Sequence, residues 1–159
     1  MLDPFLGWLE ATALSQWVVG SPSLLAFPGI LCVHAIGMAL AVGVSVAFNL
    51  RVLGVTSSMP LPEMRKFLPV FWTGFWLNAV SGVLLLVGYP TKALTNPVFY
   101  LKLGLIAVAM TLAVKLSRAD GVPYTLQRRM AILSLLCWGA AITAGRLLAY
   151  TYNRLTVIE

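Results

Sequence analysis

Four long apolar blocks run through this chain, separated by short polar breaks. The first extends over about 24–53 and is interrupted only by His34, Ser45 and Asn49 before Arg51. A helix needs roughly 20 apolar residues to cross the hydrocarbon layer, so this block has length to spare. Arg51 and the polar stretch from Thr56 to Pro62 end it. The second block predicts a span over about 67–89, with Pro69 tolerated in its first turn and Pro90 closing it. After TKALTNP a third span is expected over about 98–116. The polar turn SRADGVPYTLQRR leads to a fourth over about 130–152.

Ahead of the first block, residues 4–19 predict one short amphipathic helix. Asp3 is placed to cap it, and Pro4 suits its first turn. Phe5, Trp8, Leu9, Ala13 and Trp17 fall on one side, the pattern of a helix lying in the membrane interface. Gly20, Ser21, Pro22 and Ser23 end it. MLDPFLGWLE carries no Lys or Arg, so it does not resemble a cleaved signal peptide, and the first span is expected to do the targeting. The expected fold is therefore all-α: an integral membrane four-helix bundle, one membrane domain over 1–159, with an N-terminal interfacial helix.

Composition agrees. Of the residues, 60% are hydrophobic and 10% charged, against about 25% charged in soluble domains. The net charge of +6 points to topology rather than to nucleic acid, because the basic residues flank the apolar blocks. Arg51, Arg65, Lys66, Lys115, Arg118, Arg128 and Arg129 share one side, seven of eleven Lys/Arg. Lys92, Lys102, Arg146 and Arg154 lie toward the other. The positive-inside rule then places both termini outside, in the periplasm of a bacterial inner membrane. Tyr89, Tyr100, Tyr150 and Tyr152 fall at the expected outer boundary. Cys32 and Cys137 form no metal-type spacing and are expected to be buried thiols.

Lipid gives helices no hydrophobic reason to associate, so stripes of small residues predict where they touch. Ala35, Ala39, Gly43 and Ala47 form one; Gly74, Asn78 and Gly82 a second; Ala141 and Gly145, with Ala140 and Ala144, a third. All are expected to face the bundle interior, with a homodimer contact as the competing use.

Polar groups inside spans are costly and mark candidate sites. His34, the single histidine, is expected about 15 Å below the outer end of the first span, and Arg146 about 9 Å below that of the fourth. Lys102 lies just inside the third span and Asn78 midway along the second. His34, Lys102 and Arg146 can converge in the outer half of the bundle. A neutral imidazole can ligate haem iron, and cations can pair with propionates or a quinone head. The candidate cofactor-binding residues are therefore His34, Lys102, Arg146 and Asn78, with His34 as the metal ligand and haem b or a quinone as the cofactor. A single histidine cannot supply both axial ligands. Candidates for the second are Met110, another Met or the same histidine of a second copy, whereas Met38 sits one turn from His34 and cannot reach the opposite haem face, so a five-coordinate site or a dimeric arrangement is required. The competing structural roles are interhelical hydrogen bonds for His34 and Asn78 and snorkelling for Lys102 and Arg146. No residue is assigned as catalytic. All five acidic residues lie outside the spans, so no carboxylate relay crosses them.

The segments HAIGMALAVGVSVAFNLRVLG, FWTGFWLNAVSGVLLL, NPVFYLKLGLI and AGRLLAY resemble, as a set, an uncharacterised family of small bacterial four-span membrane proteins over roughly 30–150. The resemblance implies that His34, Arg51, Lys102 and Arg146 occupy motif positions. An acidic residue common in that family before Leu-Arg is Asn49 here, so any pairing of it with Arg51 is absent. The chain is also distantly similar to copper-resistance D-like and b-type cytochrome membrane proteins. The function expected is a haem- or quinone-binding electron-transfer subunit. The alternatives are an accessory or assembly subunit of a larger membrane complex and a small-solute or anion conductor.

Overall fold

The structure, a computed structural model, describes residues 3–55 and 60–155. Residues 56–59 of the first polar break, the tail after 155 and the side chains of Asp3, Tyr152 and Arg154 lie outside what is described.

The four expected spans are present as α3 (Phe27–Val52), α5 (Leu68–Gly88), α7 (Pro97–Ser117) and α8 (Tyr124–Leu155). Each is long and apolar enough to cross a membrane. Proline in the first turn starts α3, α5 and α7, where its missing N–H has no intrahelical partner to lose. The Asn96 side chain caps α7, accepting from the Val98 N–H at 3.0 Å. Gly54, at φ +82°, turns the chain out of α3, and the Val55 N–H closes back on the Leu50 carbonyl at 3.0 Å. The polar turn before α8 is shorter than expected. Gln127 donates to the Ala119 and Val122 carbonyls, so helix begins at Tyr124 and absorbs the start of the predicted loop. The second loop likewise holds a short helix, α6 (Pro90–Leu94), and α4 (Leu61–Met64) with a 3₁₀ turn, Arg65–Phe67, precedes α5.

The N-terminal segment forms two helices instead of one, α1 (Asp3–Glu10) and α2 (Ala13–Gly20). Thr12 makes the break: its hydroxyl donates to the Leu9 carbonyl at 2.7 Å and accepts from the Ser15 N–H at 3.3 Å. The break lets α2 dock against the end of α5, burying Ser15 and Val18. Gly88 is required there, since a Cβ would stand 2.7 Å from Val18 Cγ1. Phe5, Trp8 and Trp17 stay exposed, leaving an apolar face at the level where an interfacial helix meets lipid.

α3 packs along α5, and α7 along α8; α3 joins the pairs through α8 and, to a lesser extent, α7. At the α3–α5 crossing a Cβ on Gly37 would lie 2.5 Å from the Asn78 amide nitrogen, and one on Gly74 2.6 Å from that of Ala41. Backbone meets backbone there, which only glycine permits. Ala41, Phe71, Ala109, Met110, Ala113, Cys137 and Trp138 form the central apolar cluster. Toward the end that carries the basic loops, two hydrogen bonds tie α3 to α8. Trp138 Nε1 donates to Ser45 Oγ at 2.9 Å, and Asn49 Nδ2 to Ser134 Oγ at 3.0 Å.

Three expectations about faces are corrected, the first being Ala140 of α8, which is exposed while Ala141 and Ala144 beside it are buried. Ala35, Ala39, Gly43 and Ala47 all point outward, and Gly43 has open space beside it. The interior face of α3 is instead Gly37, Ala41 and Ser45, also small and also at steps of four. Two small stripes were on offer, and the partner helix took the one containing the glycine. Cys32 is exposed on the outer face of the α3–α5 pair, whereas Cys137 is buried.

Candidate functional site

His34 lies seven residues into α3 and Ser81 seven residues before the end of α5. Both are therefore about 10 Å below the same end of the bundle. Lys102 is five residues into α7 and so sits at nearly that level. This is the end at which α1, α2 and α6 gather and at which Tyr89, Tyr100 and Tyr150 are exposed. The expected convergence therefore holds for His34 and Lys102.

The imidazole is held from two sides. Its Nδ1 is 3.1 Å from Ser81 Oγ. Its Cε1 lies over Gly82, where a Cβ would come within 3.2 Å. Asn78 Nδ2 donates to the His34 backbone carbonyl at 2.8 Å. Asn78 thus locks the height of α3 against α5: its side chain holds the main chain of His34, and its own backbone carbonyl also interacts with the ring. The ammonium of Lys102 is within electrostatic range of the imidazole. Its side chain runs beside Gly145 of α8, where a Cβ would stand 3.6 Å from both Cε and Nζ. Gly82 and Gly145 therefore act as the space in which the two polar side chains lie.

His34 Nε2 and Lys102 Nζ have no hydrogen-bond partner among the described residues, yet neither is sealed away. Among the described residues, the buried side-chain atoms left without a partner are Asn49 Oδ1 and Arg65 Nε. A free imidazole nitrogen and a free ammonium thus lie in one partly buried region. Arg146 does not join them. It follows Gly145 by one residue, which rotates it about 100° around α8, and its side chain is exposed.

Three further observations bear on what the region can hold. No group of three or more His, Cys, Asp or Glu is placed to bind a metal ion among the described residues. Met110 belongs to the central apolar cluster, 13 residues into α7, so it lies about 9 Å deeper than His34 and cannot stand opposite it across a haem. The central cluster also separates the His34 level from the Ser45–Asn49 level, so the described polar side chains line no continuous path along the bundle. On the outer side of the α3–α5 contact lies an apolar groove of about 790 Å³, walled by Ile30, Val33, Trp76, Val80 and Leu84 and reaching Ser81.

The sequence pattern did not single out Ser81. The available signal was its position three residues after Asn78, on the face that carries Gly74 and Gly82. Comparisons with protein families, with curated proteins and with solved structures give no match to this chain.

Proposed function

We propose that this protein is a membrane-embedded redox subunit that binds the head group of a quinone between α3 and α7, with His34 and Lys102 as its polar contacts. The observation that carries the proposal is the pairing of an unengaged imidazole nitrogen with an unengaged ammonium, half-buried at the same depth of an otherwise apolar bundle. Such a site offers few, convergent polar groups inside an apolar surround, the usual composition of a small-molecule site. A cation beside the imidazole favours ligand oxygen over a bare metal cation, by Coulomb's law. Haem b is the alternative occupant, with His34 as its axial ligand. Because no second ligand is placed to face His34 among the described residues, that haem would be five-coordinate or shared with a second copy.

The test is purification in mild detergent, followed by an absorbance spectrum and organic extraction. Near-stoichiometric quinone in the wild type, lost in His34→Ala and reduced in Lys102→Ala, is the expected result. A Soret band lost in His34→Ala would transfer the assignment to haem. A protein with neither chromophore that also fails to bind an added photoreactive quinone would end both versions.

A second reading, an accessory subunit of a larger membrane complex, is favoured by the outward face of Ala35, Ala39, Gly43 and Ala47. Small residues facing lipid allow another helix to approach closely. A stoichiometric partner that co-purifies and is released by Gly43→Leu would support it. A chain that always isolates alone would not.

A further inference from the structure

The hydrogen bonds around Ser81 determine which kind of ligand oxygen His34 can meet. Ser81 Oγ is 2.5 Å from the Leu77 carbonyl, one turn back in its own helix, and 3.2 Å from the Asn78 carbonyl. Two oxygens so close require a hydrogen between them, and a serine hydroxyl has one to give. That hydrogen goes to Leu77. Ser81 Oγ can then only accept from the imidazole, so Nδ1 carries the ring proton. In neutral imidazole the other nitrogen is then a bare lone pair. The same arrangement, one ring N–H anchored on oxygen, orients histidines that use their second nitrogen as a ligand.

We infer that Ser81 is a positioning residue that holds His34 as the Nδ1–H tautomer, so that the site selects a ligand donating a hydroxyl to Nε2 while offering an oxygen to Lys102 Nζ. In terms of the quinone proposal, on which the ligand class rests, this is the reduced, hydroxyl-bearing hydroquinone form. The oxidised quinone has only acceptor oxygens and can engage Lys102 but not Nε2. The O-methylated hydroquinone keeps the ring and both oxygens and lacks the donor.

Because His34 is the single histidine, nitrogen-15 histidine labelling reports on this ring alone. Wild-type protein in lipid nanodiscs at alkaline pH is expected to show a protonated Nδ1 and an unprotonated Nε2. Ser81→Ala should move the ring toward the Nε2–H tautomer, and Ser81→Thr, which keeps the hydroxyl, should restore it. A short-tail hydroquinone should bind roughly tenfold more tightly than its dimethyl ether, a ratio corresponding to one hydrogen bond. That ratio should collapse in Ser81→Ala. A wild-type ring protonated at Nε2 overturns the inference whatever binds, and it needs no variant to fold. An Nδ1–H ring in a protein that binds neither probe upholds the role of Ser81 and overturns the quinone class. Equal binding of both probes to an Nδ1–H protein overturns the hydroxyl selection alone.

Discussion

Replacing Gly37 by alanine places a methyl group into the α3–α5 crossing. Its carbon would stand 2.5 Å from the Asn78 amide nitrogen, 2.8 Å from the Gly74 carbonyl oxygen and 3.0 Å from Leu77 Cβ. Two of the three are backbone atoms of α5, so no side chain can swing away to relieve them. Restoring a 3.4 Å contact requires the helices to part by about 0.9 Å. Overfilling a packed interior usually costs about 1–3 kcal/mol, and a rigid backbone contact belongs at the upper end. Parting the helices also stretches the Asn78–His34 and His34–Ser81 hydrogen bonds, each worth about 0.6 kcal/mol inside a membrane. Set against the roughly 1 kcal/mol that replacing a helix-interior glycine gains, a net loss near 3 kcal/mol is expected. Gly43→Ala on the same helix is the control: nothing lies within 4 Å of its new carbon. Removing a helix-interior glycine there should stabilise by about 0.5–1 kcal/mol. Reversible unfolding in mixed micelles, followed by tryptophan fluorescence against detergent composition, measures both. Equal stabilities for Gly37→Ala and Gly43→Ala, within about 0.5 kcal/mol, would show that α3 and α5 do not cross at Gly37.

Ser134→Ala removes the side-chain partner that fully buried Asn49 has among the described residues, where its Oδ1 already has none. It should cost about 1–3 kcal/mol in the same assay, while Asn49→Leu combined with Ser134→Ala should fall much nearer to neutral. Trp138→Phe deletes the indole N–H that Ser45 accepts and should destabilise by about 1 kcal/mol, with Ser45→Ala in the same background adding little further. Asp120→Ala breaks the ion pair with Arg65 that joins two polar loops. Asp120 is 72% exposed in that pair, so the loss should stay below about 1 kcal/mol and shrink further in high salt.

The fourth span begins at Tyr124, ahead of its apolar block, but the existence of all four and the approximate limits of the first three were legible in the chain, because crossing a bilayer is a matter of how many apolar residues occur in a row. The same holds for the proline start of α5 and for the clustering of basic residues at one end, which are also local properties. Which face of α3 turns inward was not local, whereas the stripes through Gly74 on α5 and Ala141 and Ala144 on α8 did mark buried positions. In lipid a helix can be apolar all round, and α3 carries small residues on two faces. Only the close approach of Gly37 to Gly74 chose between them, turning Ala35 and Ala39 outward. That rotation in turn carried His34 onto Ser81 and Gly82. On α8, Arg146 follows by one residue the glycine beside Lys102 and so points out of the bundle. Composition alone required that polar side chains inside the spans find partners. Which partner each one found, including the serine that sets the proton on the histidine ring, depended on contacts between helices 47 residues apart in the chain, where no local pattern reaches.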